Sequence, residues 1–304
     1  METRVLPFSD ESIAEATRLM LAGQPVAVPT ETVYGLAADA TNDEAVAHIY
    51  EAKGRPRFTP LIVHVADLAV ARQIGDFGDE ALALANRHWP GPLTLVVPLR
   101  REAKIASIVT AGLPNIAIRV PDHPAMQALL EAIGRPLAAP SANASGAISP
   151  TRAAHVLKSL GGRIPLIIDG GATRRGIEST IVAATGGSLR LLRRGPIDVD
   201  AAPTSGSGIE APGQLASHYA PSKPLRLDAR TADSDEFLIG FGDIAGDANL
   251  SPTADPVDAA ARLFDLLHEA DASVKSRIAV APVPNDGLGA AINDRLQRAA
   301  ADRQ

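Results

Sequence analysis

Lys53-Gly54-Arg55-Pro56-Arg57 sets three cations within five residues of a chain whose net charge is -6. Such a cluster on an acidic background suits a small anionic ligand, because binding a long polyanion calls for a broad positive field. Lysine supplies a point charge and arginine a planar fork that grips carboxylate or phosphate with two parallel hydrogen bonds. Taken alone, such a run is more often a solvated loop. Six other stretches place small, hydroxyl-bearing, proline and glycine residues where strands should end: residues 29–36 (Pro-Thr-Glu-Thr-Val-Tyr-Gly-Leu), 89–94, 119–124, 139–146 (Ala-Pro-Ser-Ala-Asn-Ala-Ser-Gly), 176–181 and 192–196. Each alone is a turn, and Trp89 reads as a core anchor. Brought together at the ends of strands in an open α/β sheet, they would line a crevice with cations, hydroxyls and backbone N–H groups, which suits a phosphorylated nucleotide.

Other chemistries are disfavoured. The chain has no cysteine, so disulfides, thiolate metal sites, thiol nucleophiles and iron-sulfur clusters are excluded. There is no Gly-Lys-Ser/Thr phosphate loop, no G-x-S-x-G elbow and no H-E-x-x-H pair, and the seven histidines are scattered. Residues 240–245 (Gly-Phe-Gly-Asp-Ile-Ala) match a loose dinucleotide fingerprint, but loop-like residues follow where a phosphate-binding helix should start, so a turn is expected. Catalysis would then rest on positioning and charge stabilisation, with no covalent intermediate needed. Only 3% of residues are aromatic, few for stacking single-stranded nucleic acid. The opening residues mix acid, base and proline where a secretory signal needs an apolar run, and no segment approaches a membrane span; a cytoplasmic location is expected.

A length of 304 residues, 46% hydrophobic and 21% charged, favours about two globular domains. Ser9 to Ser12 should cap a helix with Ile13, Ala16, Leu19 and Met20 on one face, stopped by Gly23. A strand over 26–29 follows. Thr41 and Glu44 have capping-box spacing ahead of a helix through Ala52, with Gly54 its stop, which puts the basic cluster on a helix-exit loop. Strand-like runs at 60–65, 93–99, 116–120, 137–139, 164–168 and 180–183 alternate with helical runs at 79–88, 123–133 and 153–160, arguing an α/β domain around a buried sheet. Residues 201–223 have linker texture. Beyond them, strands at 237–240 and 278–280 and helices at 257–270 and from 288 make a small second domain of about 80 residues, near the lower end of independent stability. The expected division is 1–200, linker 201–223 and 224–304.

These segments, in this order, resemble the YrdC-type threonylcarbamoyl-AMP synthases in their long two-domain form, over nearly the whole chain. Lys53-x-Arg55 with Ser141-x-Asn143 resembles the family signature, residues 29–36 and Ser179-Thr180 its substrate segments, and Ala211-Pro212-Gly213 with His218-Tyr219-Ala220-Pro221 its interdomain motif. Two departures stand out: Ala211-Pro212-Gly213-Gln214 replaces the usual Ser-Pro-Gly-Met, and the second domain is shorter than in many relatives. The resemblance implies a YrdC-like twisted mixed-sheet domain with helices, followed by a small Rossmann-like α/β domain. It implies that L-threonine, bicarbonate and ATP become L-threonylcarbamoyladenylate and pyrophosphate. That is the first step toward modifying the tRNA adenosine beside the anticodon, so the downstream tRNA threonylcarbamoyl-transfer machinery is the implied partner, with no membrane and with direct tRNA binding left open.

By the same resemblance, Lys53 and Arg55 are the expected catalytic cations, and Mg²⁺ would arrive on the phosphates of ATP. Thr32, His64, Arg119, Ala139 and Ser179 would face threonine. Arg55, Thr59, Asn115, Ser141, Asn143, Ser149 and Arg193 would face ATP, with Tyr219 reaching in from a linker that acts as a lid. Asn115 stands where relatives often have threonine. Two other readings use the same crevice: an RNA-binding translation regulator, and a carbamoyl-adenylate-forming enzyme like the domains of hydrogenase-maturation proteins.

Overall fold

The computed structural model describes residues 2–56, 59–203, 210–213 and 217–301. Arg57 of the basic cluster and Gln214 to Ala216 of the linker lie outside the described residues, as do residues 204–209. The first half of the large domain runs β1 (Arg4–Pro7), α1 (Asp10–Leu21), β2 (Val26–Pro29), β3 (Tyr34–Asp39), α2 (Asp43–Lys53), β4 (Ile62–His64), α3 (Leu68–Ile74), α4 (Asp79–His88) and β5 (Leu93–Pro98). After a 3-10 turn at Ser107–Val109 it continues β6 (Asn115–Arg119), α5 (Pro124–Ile133), β7 (Leu137–Ala138), α6 (Ala153–Leu160), β8 (Leu166–Asp169), β9 (Thr180–Ala183), β10 (Arg190–Arg193) and β11 (Ala202–Pro203).

Among the described residues these strands form one mixed sheet ordered β1-β8-β2-β3-β7-β4-β6-β5-β9-β10-β11. Strand periodicity sends alternate side chains to opposite faces, so both must be covered. Val26 and Val28 pack with Ile13, Ala16 and Met20 of α1 and Met126, Leu129 and Leu130 of α5. Ala27, one residue out of phase, belongs to the opposite core with Val46 and Ile49 of α2 and Val156 and Leu160 of α6.

Helix ends follow local chemistry. Ser9 and Ser12 exchange side-chain hydrogen bonds with each other's backbone N–H at the start of α1. At α2 the expected capping box gives way: the Thr41 hydroxyl donates to Asp39 Oδ1 at 2.6 Å, and Asn42 Oδ1 instead accepts from the N–H groups of Glu44 and Ala45. Gly54 does end that helix, in the left-handed region at φ 58°. Residues 240–245 form a turn, with Phe241 bridged to Ile244.

The second domain contains β12 (Leu225–Arg226), β13 (Glu236–Gly240), β14 (Ala248–Asn249), α7 (Pro256–Ala272), β15 (Arg277–Val280) and α8 (Gly287–Ala300). Its strands pair in parallel in the order β12-β15-β13-β14. Val33, Ile148 and Ile177 of the large domain and Tyr219 of the connecting segment are buried in the same apolar cluster as Phe264, Leu267 and Ile292, so the two domains share a core. Polar contacts seal its rim: Arg152 pairs with Asp265 at 2.7 Å, and His155 stacks on His268 with ring centroids 3.8 Å apart. No helix among the described residues is long and apolar enough to cross a membrane.

Candidate active site

The crevice opens where β3, β4, β6, β9 and β10 end or bend, and its walls include Thr32, Arg55, His64, Arg119, Ala139, Ser141, Ser179, Arg193 and Tyr219. Its shape depends on tight backbone approaches. The loop after β7 is zipped to β3 by Leu36 N–H to Pro140 O at 2.7 Å and Ala142 N–H to Tyr34 O at 2.8 Å, which fixes Ser141 on the wall. Gly195 lets the chain after β10 pass the 178–180 backbone; a Cβ there would lie 2.4 Å from the Thr180 nitrogen.

The two ends of the crevice differ in charge. At one end Arg119 is ion-paired with Glu31 at 2.6 Å, both buried, and donates to Thr32 Oγ1 at 2.9 Å, which in turn shares a 2.8 Å hydrogen bond with Thr30. At the other end, Arg193 donates from Nε to the main-chain oxygen of Ser179 at 3.0 Å and from Nη2 to its Oγ at 3.1 Å. Arg55 donates to Pro60 O at 3.3 Å, and its Nε has no hydrogen-bond partner among the described residues. Neither Arg55 nor Arg193 has a carboxylate within ion-pair distance among the described residues. Burial pushes both guanidinium pKa values down from their ordinary range. Burying charge without a counter-charge is costly, so this end favours an anionic ligand that restores the balance.

His64 is buried with Nδ1 unpartnered, and burial together with the Arg119 charge pulls its pKa down to about 3; it stands in the wall as a neutral imidazole. His218, likewise held neutral by burial and by the nearby Arg55 and Lys53 charges, packs edge-on to Tyr219 at 4.0 Å. Tyr219 is fully buried, adopts φ 63° and has no hydrogen-bond partner at its hydroxyl among the described residues.

Five of the expected site residues do not line the crevice. Lys53 is 2% exposed and donates to the main-chain oxygens of Ser141 and Asn143 from behind the wall, so the helix-exit cluster is not a solvated loop at this position. Asn143 ties its own loop by donating to Ala144 O and Ala147 O, and the Ser149 hydroxyl donates to Glu178 at 2.5 Å. Thr59 is buried, its main-chain oxygen accepting from Tyr50, and Asn115 pairs with Pro98 at the start of β6. Conversely, Glu178, Thr30 and His218 line the crevice although sequence reasoning gave them no role. All three sat inside quoted segments; the available signal was an acid among small residues, which when buried must be paired.

A crevice at strand ends, walled by buried cations and hydroxyls, defines this as an α/β enzyme site of the anion-binding, group-transferring kind. A family model described as "Telomere recombination" matches residues 18–195, and one described as "Threonylcarbamoyl-AMP synthase, C-terminal domain" matches 173–301. The chain is 39% identical to the threonylcarbamoyl-AMP synthase of Bacillus subtilis, with 99% of this chain and 96% of that one covered. It is 37% identical to the Pyrococcus abyssi enzyme of the same name, with 92% of each covered. The crystal structure of P. abyssi Sua5 complexed with L-threonine superposes with a TM-score of 0.88 at 34% identity, covering 98% of this chain and 97% of that one. This chain belongs to the threonylcarbamoyl-AMP synthase family.

Proposed function

We infer that the crevice binds L-threonine at its balanced end and ATP at its cationic end, and joins them through bicarbonate as threonylcarbamoyladenylate. The observation that carries this is the polarity of the site. The Glu31–Arg119 pair suits a zwitterionic amino acid, whereas half-buried Arg55 and buried Arg193, both without carboxylate partners among the described residues, suit phosphates.

In the reaction, the threonine amine and bicarbonate give a carbamate with loss of water. A carbamate oxygen then bonds to the α-phosphorus as the bond to pyrophosphate breaks, and charge builds on the phosphate oxygens and the leaving group. Arg55 and Arg193 are placed to stabilise that charge, while Arg119, Thr32, Ser179 and neutral His64 orient the amino acid. Lys53 acts one layer back, fixing the Ser141 and Asn143 carbonyls. Magnesium enters as part of the substrate, on ATP's phosphate oxygens. Among the described residues no three His, Cys, Asp or Glu side chains cluster as a metal cage.

The connecting segment, through Pro212, Gly213, His218 and Tyr219, supplies one wall, and closing it over ATP would exclude water and protect the reactive mixed anhydride. The product's use by a tRNA-modifying transferase in the cytoplasm completes the reading.

The test is pyrophosphate release from ATP with each amino acid, with and without bicarbonate. Release should require threonine and bicarbonate together, with serine the nearest competitor, since one missing methyl is worth only about 1–3 kcal/mol. Equal release without an amino acid overturns the assignment, and turnover with carbamoyl phosphate in its place would point to the carbamoyl-adenylate chemistry.

A further inference from the structure

Arg295 lies on α8 of the second domain, yet it is completely buried and the carboxylate that accepts from its Nε belongs to the first domain. Its Nε donates to Glu178 Oε2 at 3.1 Å, while the other carboxylate oxygen, Oε1, accepts from the Ser149 hydroxyl at 2.5 Å. The guanidinium carbon also sits 5.6 Å from the centroid of the Tyr219 ring, and Nη1 reaches Asp294 at 3.1 Å. Three consecutive residues of the first domain are thereby clamped from the second. Gly176, at φ 69°, passes α7 so closely that a Cβ would lie 2.3 Å from the Ala260 oxygen. Ile177 is buried in the shared core, and Glu178 is held by Arg295. The next residue is Ser179, whose main-chain and side-chain oxygens both hold Arg193 and whose hydroxyl also meets Thr94 at 2.8 Å.

We propose that Arg295 is a positioning residue that, through Glu178, sets Ser179, the threonine-facing residue that also holds Arg193 of the cationic end, so that the second domain determines how threonine is held in the crevice. The inference rests on the assignment of threonine to this crevice. Without the Arg295 charge, the buried Glu178 carboxylate keeps only the Ser149 hydroxyl and is driven to seek water, and the 176–179 segment loses its register. A misplacement of this kind acts on ligand binding first, since Arg295 does not line the crevice.

The test compares the full chain with Arg295→Met, Arg295→Lys, Glu178→Gln and the Arg295→Met/Glu178→Gln pair, reading threonine affinity by calorimetry, KM for threonine, kcat and thermal melting. In Arg295→Met, threonine Kd and KM should rise roughly 10-fold with kcat changed less than about threefold, a split that general loosening of the fold does not give. Arg295→Lys, which keeps the cation, should recover at least about half of that loss on a logarithmic scale. The paired variant should bind threonine no worse than the weaker-binding single one, because both substitutions remove the same link. Should Arg295→Met fail to fold, the same comparison between Glu178→Gln and Arg295→Lys decides, with loss in the first and partial loss in the second expected. Threonine affinity within twofold of wild type in the folded variants, or losses that multiply in the pair, overturns the proposal. A wild-type protein that does not bind threonine overturns the functional assignment itself, a result separate from any difference among variants.

Discussion

Lys53 and Arg55 are two residues apart, and the fold gives them different duties. Lys53 ends α2 pointing inward, its ammonium divided between the carbonyls of Ser141 and Asn143; Arg55 follows the left-handed Gly54 and faces the crevice. Lys53→Ala therefore strands two buried carbonyls, and a loss of about 2 kcal/mol of stability accompanies its loss of activity. Arg55→Ala, which frees only a 3.3 Å contact, should melt within a degree or two of wild type yet lose about 100-fold or more in kcat/KM. Paired melting curves and steady-state assays separate the two, and a Lys53→Ala variant as stable as wild type would refute the inward role. His64 gives a pH prediction of the same grain. With its pKa drawn down to about 3 by burial and then by Arg119, it stays neutral across the working range. Any limb in log kcat/KM between pH 5 and 8 should persist unchanged in His64→Gln.

At the scale of elements, what the sequence made legible depended on whether local chemistry acted alone. The bounds of α6 and β9 were readable because breakers flank a clear apolar period. β3 was read as part of a turn-rich segment, since Tyr-Gly-Leu-Ala-Ala-Asp lacks β-branched residues; it is a strand because helices bury both its faces and it pairs with β2 and β7. The edge strand β1 exists only through pairing with β8, far along the chain. The same limit governed the site. A family signature locates Lys53-x-Arg55 and Ser141-x-Asn143 but says nothing about which side chains turn inward. The Glu178 to Arg295 link spans 117 positions and leaves no local trace. The connecting segment carries the element-scale prediction. Ala220 N–H bonds Gly146 O at 2.8 Å and His218 N–H bonds Arg298 O at 3.1 Å, anchoring the downstream end to both domains. Saturating ATP with threonine should slow proteolysis within residues 211–221, and Tyr219→Ala should abolish that protection along with most product formation. Equal cutting with and without ligands, together with full activity in Tyr219→Ala, would leave a passive spacer.

For the molecule as a whole, the domain interface is expected to weaken in acid. His155 of α6 and His268 of α7 stack face to face, and burial first of all draws each pKa down from 6.5 to about 4. Arg152, Lys158, Asp265 and Asp271 surround the pair, and His268 also donates to Ser149 O at 3.1 Å. Because both rings are held neutral when folded, the unfolded chain takes up protons first. The contribution is therefore complete above pH 6.5 and is lost progressively between pH 6.5 and 4. Replacing both histidines with glutamine should flatten the fall in melting temperature between pH 7 and 5 by roughly 5 °C. Parallel curves for the two proteins would mean the stack carries none of the dependence.

The pairing of β1 with β8 at the edge of the large sheet also bears on how the enzyme comes into being. Residues 4–7 find their partners only when 166–169 have been made, and the crevice then still lacks Tyr219 and the strut from Arg295. At ribosomal speeds of about 5–20 residues per second, the interval between Leu166 and Arg295 is on the order of ten seconds. At its start the nascent chain carries eight of the eleven strands of the large sheet beside an unfinished crevice. The parts that complete the pocket are thus among the last to be synthesised.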